Sequence, residues 1–368
     1  MDPILREARA VDFDAIAAVK RRNAMPAEPW AWLWQENLAR AAFPADFPLG
    51  WVLDCAGQVA GYLGNVPLQY YRGGNKLLAA VARGFVVDPA QRSHSIRLAA
   101  AFLTQKNVHL LLNTSANVPT SSIFGALKAF KIPQDDYDQA LFWVVRPAGF
   151  LASVFHRMGG PRVAARIAGW AAVPALYAEM KLRRRHPVAI SGAIEVERVY
   201  PQDAGQDFDE FWQRTLRDRP QCLLADRSAA VLRWRYGHPA AAMRRPAILR
   251  ARRGGHIAGY TVITREDSPD IGLNRSRIID LIAENDDAGV IDGLLREAHD
   301  LAYADGSHIL ELVGFPTNVR QRFIAGNPYV RQLPSWEFWY KAVDPALVQP
   351  LSAPASWYGS SYDGDRSL

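Results

Sequence analysis

A short basic segment in the first third of the chain has the residue types of an anion-binding site. Residues 91–97, QRSHSIR, follow the apolar run 85–87, FVV, which is typical of a β-strand and stops at Asp88-Pro89 because proline cannot continue a ladder. Apolar residues at helical spacing follow from Ile96 onward. A strand, a basic loop and a helix start direct backbone N–H groups and a helix dipole to one point. The pattern therefore predicts a site for a diphosphate or a similar anion.

The side chains of this segment can take part in such a site. Ser93 or Ser95 can cap the helix, and Arg92 and Arg97 can donate charge-assisted hydrogen bonds to phosphate oxygens. The alternative is an ordinary turn between a strand and a helix, with a solvated basic loop. The segment by itself does not decide between the two.

The segment resembles the acyl-CoA-binding motif of the GNAT N-acyltransferases, in which a strand leads into Arg/Gln-x-x-Gly-x-Gly/Ala at a helix start. The matching residues are 92–97, RSHSIR; Arg92 is present, but Ser95 and Arg97 stand where the family has small residues, mostly glycine. The resemblance implies acetyl-CoA or another acyl-CoA as the acyl donor. The residues that it implies in cofactor binding are Phe85, Val86, Val87, Arg92, Ser93, His94, Ser95, Ile96, Arg97 and Asn117.

Acyl transfer to an amine needs a neutral nucleophile, a route for its proton and hydrogen-bond donors for the developing oxyanion. Backbone N–H groups near residues 85–87 are the candidate donors. The candidate catalytic residues are His94, Tyr70 and Asp88, with Tyr71 and Asp54 as further candidates for the base. In the family the position of His94 faces phosphate, Asp88 is typical of a turn before proline, and the tyrosines are typical of a cleft wall. The family's helix tyrosine, which protonates the leaving thiolate, has no counterpart, since Phe124 and Gly125 occupy its place.

The elements around the basic segment are predicted from hydrophobic period and turn residues. Strands are predicted at 4–8, 51–54, 59–70, 85–87, 108–113 and 141–145, and helices starting near Asp12 or Asp14, over 30–42, from Ile96 and over 120–130. The strands at 51–54 and 59–62 are predicted to pair as a hairpin across Ala56-Gly57.

Landmarks of this first unit recur later in the chain. GQVAGY at 57–62 is matched by GHIAGY at 255–260, Phe142-Trp143 by Phe338-Trp339, and Leu33-Trp34 by LRW at 232–234. The members of each pair lie 196 to 200 residues apart. A nearly constant spacing predicts a tandem duplication.

The duplication and the resemblance together imply an α/β (α+β) fold class with two tandem GNAT-like domains. Each domain is expected to have a mixed, mostly antiparallel central sheet flanked by helices, and a helical connector joins the two. The predicted ranges are 1–147 for the domain with the acyl-CoA site, 148–190 for the connector, 191–345 for a degenerate second domain and 346–368 for an irregular C-terminal tail.

The second unit has acidic residues where the first has its basic loop. Residues 283–289 are AENDDAG, and no arginine takes the place of Arg92. Carboxylates at a phosphate cradle repel the ligand. We therefore predict that the second unit does not bind CoA and closes the acceptor cleft against the first.

The connector region has apolar residues at helical spacing between 146 and 190. A helical connector packed across both domains is predicted from this pattern. The alternative is an interfacial helix on anionic lipid, assisted by the basic cluster 181–185, KLRRR.

The composition limits the class of protein. The chain has 368 residues, a net charge of +6, 49% hydrophobic residues and a pI near 9.3, which fit packed cores and a protein that meets anions. Two separated cysteines and no Cys/His spacing for zinc predict a reduced compartment and no metal site. The absence of an apolar signal segment and of an apolar run long enough to span a membrane favours a cytoplasmic location.

The sequence predicts an acyl-CoA-dependent N-acyltransferase that acts on a small amine or an amino sugar. Among such enzymes, an acetyltransferase is the predicted type. One alternative is a Fem-like aminoacyl transferase, whose family also pairs two GNAT-like domains and which would hold aminoacyl-tRNA on its basic surface. The other is a non-catalytic protein with decayed CoA loops that binds a ligand between its domains.

Overall fold

A computed structural model describes residues 2–188, 194–333 and 336–368 of the chain. The α-helices are α1 (Phe13–Arg22), α2 (Ser95–Leu103), α3 (Val118–Ala126), α4 (Pro147–Arg157), α5 (Arg162–Leu182), α6 (Gln206–Asp218), α7 (Ala229–Leu232), α8 (Ala288–Ala304), α9 (Thr317–Ala325) and α10 (Pro345–Val348). The strands are β1 (Ile4–Glu7), β2 (Gly50–Cys55), β3 (Gln58–Arg72), β4 (Asn75–Val87), β5 (Leu110–Ala116), β6 (Phe130–Lys131), β7 (Gln139–Val144), β8 (Glu195–Val199), β9 (Leu224–Ala225), β10 (Ala247–Arg253), β11 (His256–Arg265), β12 (Arg275–Ala283), β13 (Ile309–Val313), β14 (Tyr329–Gln332) and β15 (Glu337–Ala342). The predicted boundary between connector and second domain, at 190/191, lies outside the described residues.

The strands form two mixed sheets. The first has the order β1-β2-β3-β4-β5-β15-β6, with β9 paired to β3, and the second has the order β14-β7-β13-β12-β11-β10-β8. The pairs β4–β5 and β12–β13 are parallel, and the other strand pairs are antiparallel. If the order of the second sheet is read in reverse, each of its strands has a counterpart in the first sheet. The matched pairs run from β1 and β8 at one edge to β6 and β14 at the other. The predicted fold class and the duplication are confirmed.

Each sheet takes one strand from the other half of the chain. β7, which carries Phe142-Trp143, pairs with β13 and β14 in the second sheet, and β15, which carries Phe338-Trp339, pairs with β5 and β6 in the first. The strand predicted at 141–145 is present but completes the second sheet, although the predicted ranges place it in the first domain, 1–147. An apolar strand has the same pattern in either sheet, so the sequence contains no signal for the exchange. The exchange means that neither sheet is complete without the other half of the chain.

A reciprocal tryptophan pair joins the two units. Trp32 Nε1 donates a hydrogen bond to the carbonyl of Trp234 at 2.9 Å, and Trp234 Nε1 donates one to the carbonyl of Trp32 at 3.2 Å. Both residues lie in π-helical turns, Ala31–Gln35 and Arg233–Gly237. The sequence comparison matched Trp34 with Trp234. The two reciprocal hydrogen bonds show instead that Trp32 is the residue of the first unit that corresponds to Trp234.

The predicted helix over 30–42 is interrupted at Asn37. The Asn37 side chain donates to the carbonyls of Leu33 and Pro67 at 3.0 and 2.9 Å and accepts from the N–H of Ala39. These bonds end one short helical turn and begin the next, because an asparagine side chain competes with the helical backbone pattern.

The helical connector is confirmed as a pair of helices, but its packing differs from the prediction. Phe150 of α4 and Leu176 and Met180 of α5 pack with Val144 and Ile309, two residues of the second sheet. The core contacts described for the connector are therefore with that sheet and not with both. Of the helices in the described ranges, none has the length and apolar character needed to cross a membrane.

The C-terminal segment fills a gap in the second sheet. β12 and β13 pair over four residues and then diverge. Tyr358 donates to the carbonyl of Leu281 in β12 at 2.9 Å, while Ser360 bridges to Gly314 at the end of β13. The segment has only short helical turns, but its aromatic residues Trp357, Tyr358 and Tyr362 are buried, so it is an integral part of the core.

We predict that Tyr358→Ala lowers the free energy of unfolding by about 3–5 kcal/mol, because it leaves a large cavity between β12 and β13 and an unpaired carbonyl. Urea denaturation followed by tryptophan fluorescence measures this change. The matched control is Tyr200→Ala, since Tyr200 is largely exposed, and it should change the free energy by less than about 0.5 kcal/mol. Equal effects of the two substitutions would contradict the described role of the tail.

Candidate active site

The first sheet opens at the place that corresponds to the gap in the second. β4 and β5 pair only over Ala79–Val81 and Leu110–Leu112, although both strands continue beyond these residues. A β-bulge bends β4 here, since Gly84 and Phe85 together oppose one residue of β3. Gly84 has a φ of 65°, a conformation that favours glycine.

A groove of about 510 Å³ lies between the separated strands. The predicted residues that line it are Phe85, Val86, Val87, Arg92, Ser95 and Asn117, together with residues of α3 and of the segment after α1. Asn117 is also the N-cap of α3, where its side chain accepts from the N–H of Thr120 at 3.0 Å. The guanidinium of Arg92 is exposed and has no hydrogen bond or ion pair to the described residues. Six predicted positions therefore share one cavity.

Four other residues of the basic segment lie outside the groove. Arg97 donates to the carbonyl of Pro3 at 2.8 Å, so it fixes the N-terminal strand. His94 is the N-cap residue of α2, with Nε2 3.8 Å from a carboxylate oxygen of Asp2. Ser93 and Ile96 are exposed. Neither predicted serine caps the helix, because the cap position belongs to His94 and has no side-chain hydrogen bond.

The bend between β4 and α2 is a 3₁₀ helix, Pro89–His94, and not an open loop. The N–H of Gln91 donates to Asp88 O at 2.8 Å and that of Ser95 donates to Arg92 O, so these groups are used within the bend. A diphosphate at this position would therefore depend on the side chain of Arg92 and on the dipole of α2 more than on a cradle of free N–H groups.

Two predicted catalytic residues lie away from the groove, and only one of them, Asp88, has hydrogen-bond partners for its side chain among the described residues. Asp88 accepts from Arg22 Nε at 2.9 Å and from Asn23 Nδ2 at 2.8 Å. Burial alone would raise the pKa of Asp88, but these bonds hold it below its usual value. Tyr70 is fully buried in β3, where burial raises its pKa well above the usual value. Neither side chain lines the groove.

A second cavity of about 320 Å³ adjoins the groove and shares Met25, Phe85, Asn117 and Thr120 with it. Its other walls are polar and come from both halves of the chain. They include Lys20, Glu28, Arg83, Asn113, Ser115, Arg244 and Asp365. A ligand that enters the groove therefore reaches a charged pocket between the two units.

A buried ion-pair chain forms one wall of this pocket. Glu28 is paired with Lys20 and accepts from Arg83 Nε at 2.7 Å. Burial raises the pKa of Glu28, but Arg83 and Lys20 outweigh this effect and hold the pKa below its usual value. Burial also lowers the pKa of Lys20, which Glu28 offsets only in part. Gly84 is required beside this chain, because a Cβ there would lie 2.7 Å from Glu28 Oε1.

Asp365 of the C-terminal segment forms the opposite wall. Its carboxylate accepts from the hydroxyls of Thr114 at 2.8 Å and Ser115 at 3.1 Å, and its carbonyl accepts from Arg83 at 2.6 Å. The hydrogen bonds that the carboxylate accepts from the described residues thus come from hydroxyl groups. This arrangement leaves it able to accept a proton or to bind an ammonium group.

Sequence reasoning missed Glu28 and Asp365. Glu28 lies in a proline-rich segment, and Asp365 lies in a tail that we predicted to be irregular and peripheral. A signal for Asp365 was present in the aromatic residues at 357, 358 and 362, because such residues near a chain end favour docking into a core.

Solved structures show the same fold. No protein-family model and no curated protein sequence matches the chain. A GCN5-related N-acetyltransferase from Anabaena variabilis is 11% identical over 92% of this chain and 72% of its own, with a TM-score of 0.54. N-myristoyltransferase of Saccharomyces cerevisiae, solved with bound myristoyl-CoA, is 9% identical over 93% of this chain and 79% of its own, with a TM-score of 0.53. A GCN5-related N-acetyltransferase from Kribbella flavida is 13% identical over 93% of this chain and 71% of its own, with a TM-score of 0.52. The chain therefore has the GNAT fold, in two copies.

We predict that Glu28→Gln lowers the free energy of unfolding by about 3–5 kcal/mol at neutral pH, because Lys20 and Arg83 lose their counter-charge. The folded-state pKa of Glu28 is lowered, so its contribution is present above the unfolded pKa and is lost as pH falls through the folded pKa. The difference in the free energy of unfolding between wild type and variant should therefore become smaller below about pH 4.3. Urea denaturation at a series of pH values measures it.

The control for this experiment is Glu195→Gln, since Glu195 is exposed and has no ion pair to the described residues. It should have little effect at any pH. A difference for Glu28→Gln that does not change with pH would show that the carboxylate charge does not stabilise the fold.

Proposed function

We propose that this protein is an acyl-CoA-dependent N-acyltransferase that transfers an acyl group to the amine of a small molecule or an amino sugar. The observation that carries the proposal is the contrast between the two sheets. The gap in the second is filled by the chain's own Tyr358 and Ser360. The corresponding gap in the first is an open groove that leads to a polar pocket.

The residues of the groove fit an acyl-CoA. The separated part of β4 provides a backbone edge, at residues 85–87, that lacks a partner strand within the described ranges. Such an edge suits the amide groups of a pantetheine arm, which can add to it as a strand does. Arg92, which has no ion pair to the described part of the chain, provides a guanidinium for a phosphate. Acyl-CoA, when bound, supplies the acyl group as a thioester.

The pocket provides the other requirements of the reaction. An amine acceptor enters as an ammonium group, which Asp365 attracts and from which it takes one proton, so that the free amine can attack the thioester carbonyl. The C–N bond forms and the C–S bond breaks, the CoA thiolate leaves with the second proton from the nitrogen, and the proton on Asp365 passes to solvent. Backbone N–H groups of β4 at residues 85–87, beyond its pairing with β5, are the proposed donors for the oxyanion that develops. Thr114, Ser115 and Arg83 hold Asp365 in position. His94, Tyr70 and Asp88, our candidates from sequence, are replaced in this scheme by Asp365.

The finer assignments belong to the same proposal. We propose acetyl-CoA as the donor and divide the chain at 1–147, 148–190, 191–345 and 346–368, with the second domain lacking a CoA site. We also propose a cytoplasmic location, which the two free cysteines, Cys55 and Cys222, support.

The structure also bears on the Fem-like alternative. The closed 3₁₀ bend favours a donor that does not need a diphosphate cradle, as aminoacyl-tRNA does not. The free guanidinium of Arg92 at the groove favours CoA. Retention of tRNA in a filter assay, weakened by salt, would support the alternative. We favour the CoA donor because the groove has a free cation at its rim.

We predict that Arg92→Ala weakens acetyl-CoA binding by about tenfold, because a charge-assisted hydrogen bond to phosphate is worth roughly 1.5–3 kcal/mol. Isothermal titration calorimetry measures the affinity. The control Arg217→Ala removes an exposed arginine of α6 that has no partner among the described residues, and its affinity should equal that of wild type. An unchanged affinity for Arg92→Ala would remove the residue from the site.

We predict that Asp365→Asn lowers kcat by about 10²–10⁴-fold while leaving the Kd of acetyl-CoA unchanged, because the amide keeps the hydroxyl contacts but cannot take the proton. Release of CoA with a panel of small amines and amino sugars measures the rate. Asp218→Asn, on α6, is the matched control. Full activity of Asp365→Asn would show that another group is the base.

A further inference from the structure

Helix α5 presents an apolar stripe to solvent. Val163, Ile167, Trp170, Pro174 and Tyr177 follow one another at steps of four, three, four and three residues, which is the spacing of one helix face. Val163, Ile167, Trp170 and Tyr177 are 73%, 68%, 68% and 62% exposed. Exposed apolar residues that follow one another along one helix face are typical of an interaction surface.

The opposite face of α5 is fixed on the protein. Ala165 and Gly169 are buried, and a Cβ on Gly169 would lie 2.8 Å from the backbone nitrogen of Ala152 in α4. Small residues thus allow α4 and α5 to pack closely, while the large apolar residues of α5 point away. The stripe is therefore held in place by the fold and is available to a partner.

The exposed charges on α5 and just beyond its end are mostly positive. Arg162 and Arg166 lie at the first turns of α5, and Lys181 and Arg184 lie at and just beyond its end, all exposed. The single carboxylate of α5, Glu179, is ion-paired with an arginine that follows the helix. A partner that covers the stripe meets cations at both ends and no free anion on this helix.

We propose that α5 binds the surface of an anionic phospholipid bilayer. Its apolar stripe would lie at the boundary between headgroups and acyl chains, and its terminal cations would contact lipid phosphates. Trp170 has the ring type that is enriched at this boundary. Of the helices in the described ranges none is able to cross a membrane, so α5 lies on the bilayer and does not span it.

The same charges argue against a second copy of this chain as the partner. In a two-fold dimer with antiparallel α5 helices, Arg162 and Arg166 of one copy would face Lys181 and Arg184 of the other. A parallel arrangement would place each cation against its own counterpart. Both arrangements bring like charges together, whereas an anionic plane satisfies both ends at once.

A cleft beside the stripe supports lipid as the partner. It has a volume of about 440 Å³ between α4, α5 and the turn at Gly272, and Trp170, Arg162, Arg166 and His156 line it. The cleft offers a lipid headgroup two guanidinium groups next to an aromatic ring.

The test is sedimentation of the full chain with vesicles of phosphatidylcholine and phosphatidylglycerol in equal amounts, compared with vesicles of phosphatidylcholine alone. We expect binding to the mixed vesicles, weaker at high salt. The double variant Ile167→Glu, Trp170→Glu should bind at least about tenfold more weakly. The double variant Lys181→Gln, Arg184→Gln should have an affinity for the mixed vesicles that is lower by about fivefold for each charge removed. Val11→Glu, a substitution of an apolar residue that is 85% exposed on the first unit, should bind as wild type does.

Circular dichroism of each variant verifies that it is folded, and the altered side chains are all on the surface. Wild-type protein that stays in the supernatant with both kinds of vesicle overturns the proposal. So does an Ile167→Glu, Trp170→Glu variant that binds as tightly as wild type. Light scattering tests the remaining alternative. If the wild-type protein binds no vesicles but forms a dimer, and the Ile167→Glu, Trp170→Glu variant is a monomer, the stripe binds a second copy of the chain instead.

Discussion

The pairing of β4 with β5 stops after three residue pairs, and the candidate site depends on this early end. Two parallel strands that separate leave backbone N–H and C=O groups without partners, and such groups need a hydrogen bond from elsewhere. The fold meets this constraint twice and in two ways. In the second sheet the chain's own C-terminal segment occupies the gap, whereas in the first the gap is a groove. One architecture thus has a filled gap in one sheet and an open groove in the other.

The C-terminal segment connects these two outcomes. After filling the second gap at Tyr358 and Ser360, it continues to the first sheet, where Asp365 reaches Thr114 and Ser115. The strand exchange has a similar effect, because β15 lies beside β5 at the edge of the pocket. The pocket therefore requires both halves of the chain, even though only one half has the open groove. The second half of the chain therefore contributes to the pocket through contacts that it makes with the first sheet.

The sequence predicted the parts of the site that are local in the chain. The strand end at 85–87, Arg92 and Asn117 share one groove because a strand, a turn and a helix that follow each other must meet at one edge. The fold class and the duplication were also predictable, since hydrophobic period and repeat spacing are local signals. The exchange of β7 and β15, the docking of the tail and the positions of Glu28 and Asp365 were not, because they arise from contacts between residues far apart in the chain. Tyr70 shows the same limit, since nothing in its sequence neighbourhood indicates that β3 buries it.

We propose that one of the two equivalent gaps accepts a CoA thioester, whereas the chain itself fills the other. Native mass spectrometry of the intact chain measures how many acetyl-CoA molecules bind. We expect a single acetyl-CoA per chain. A chain that binds none, or one that binds two, would contradict it.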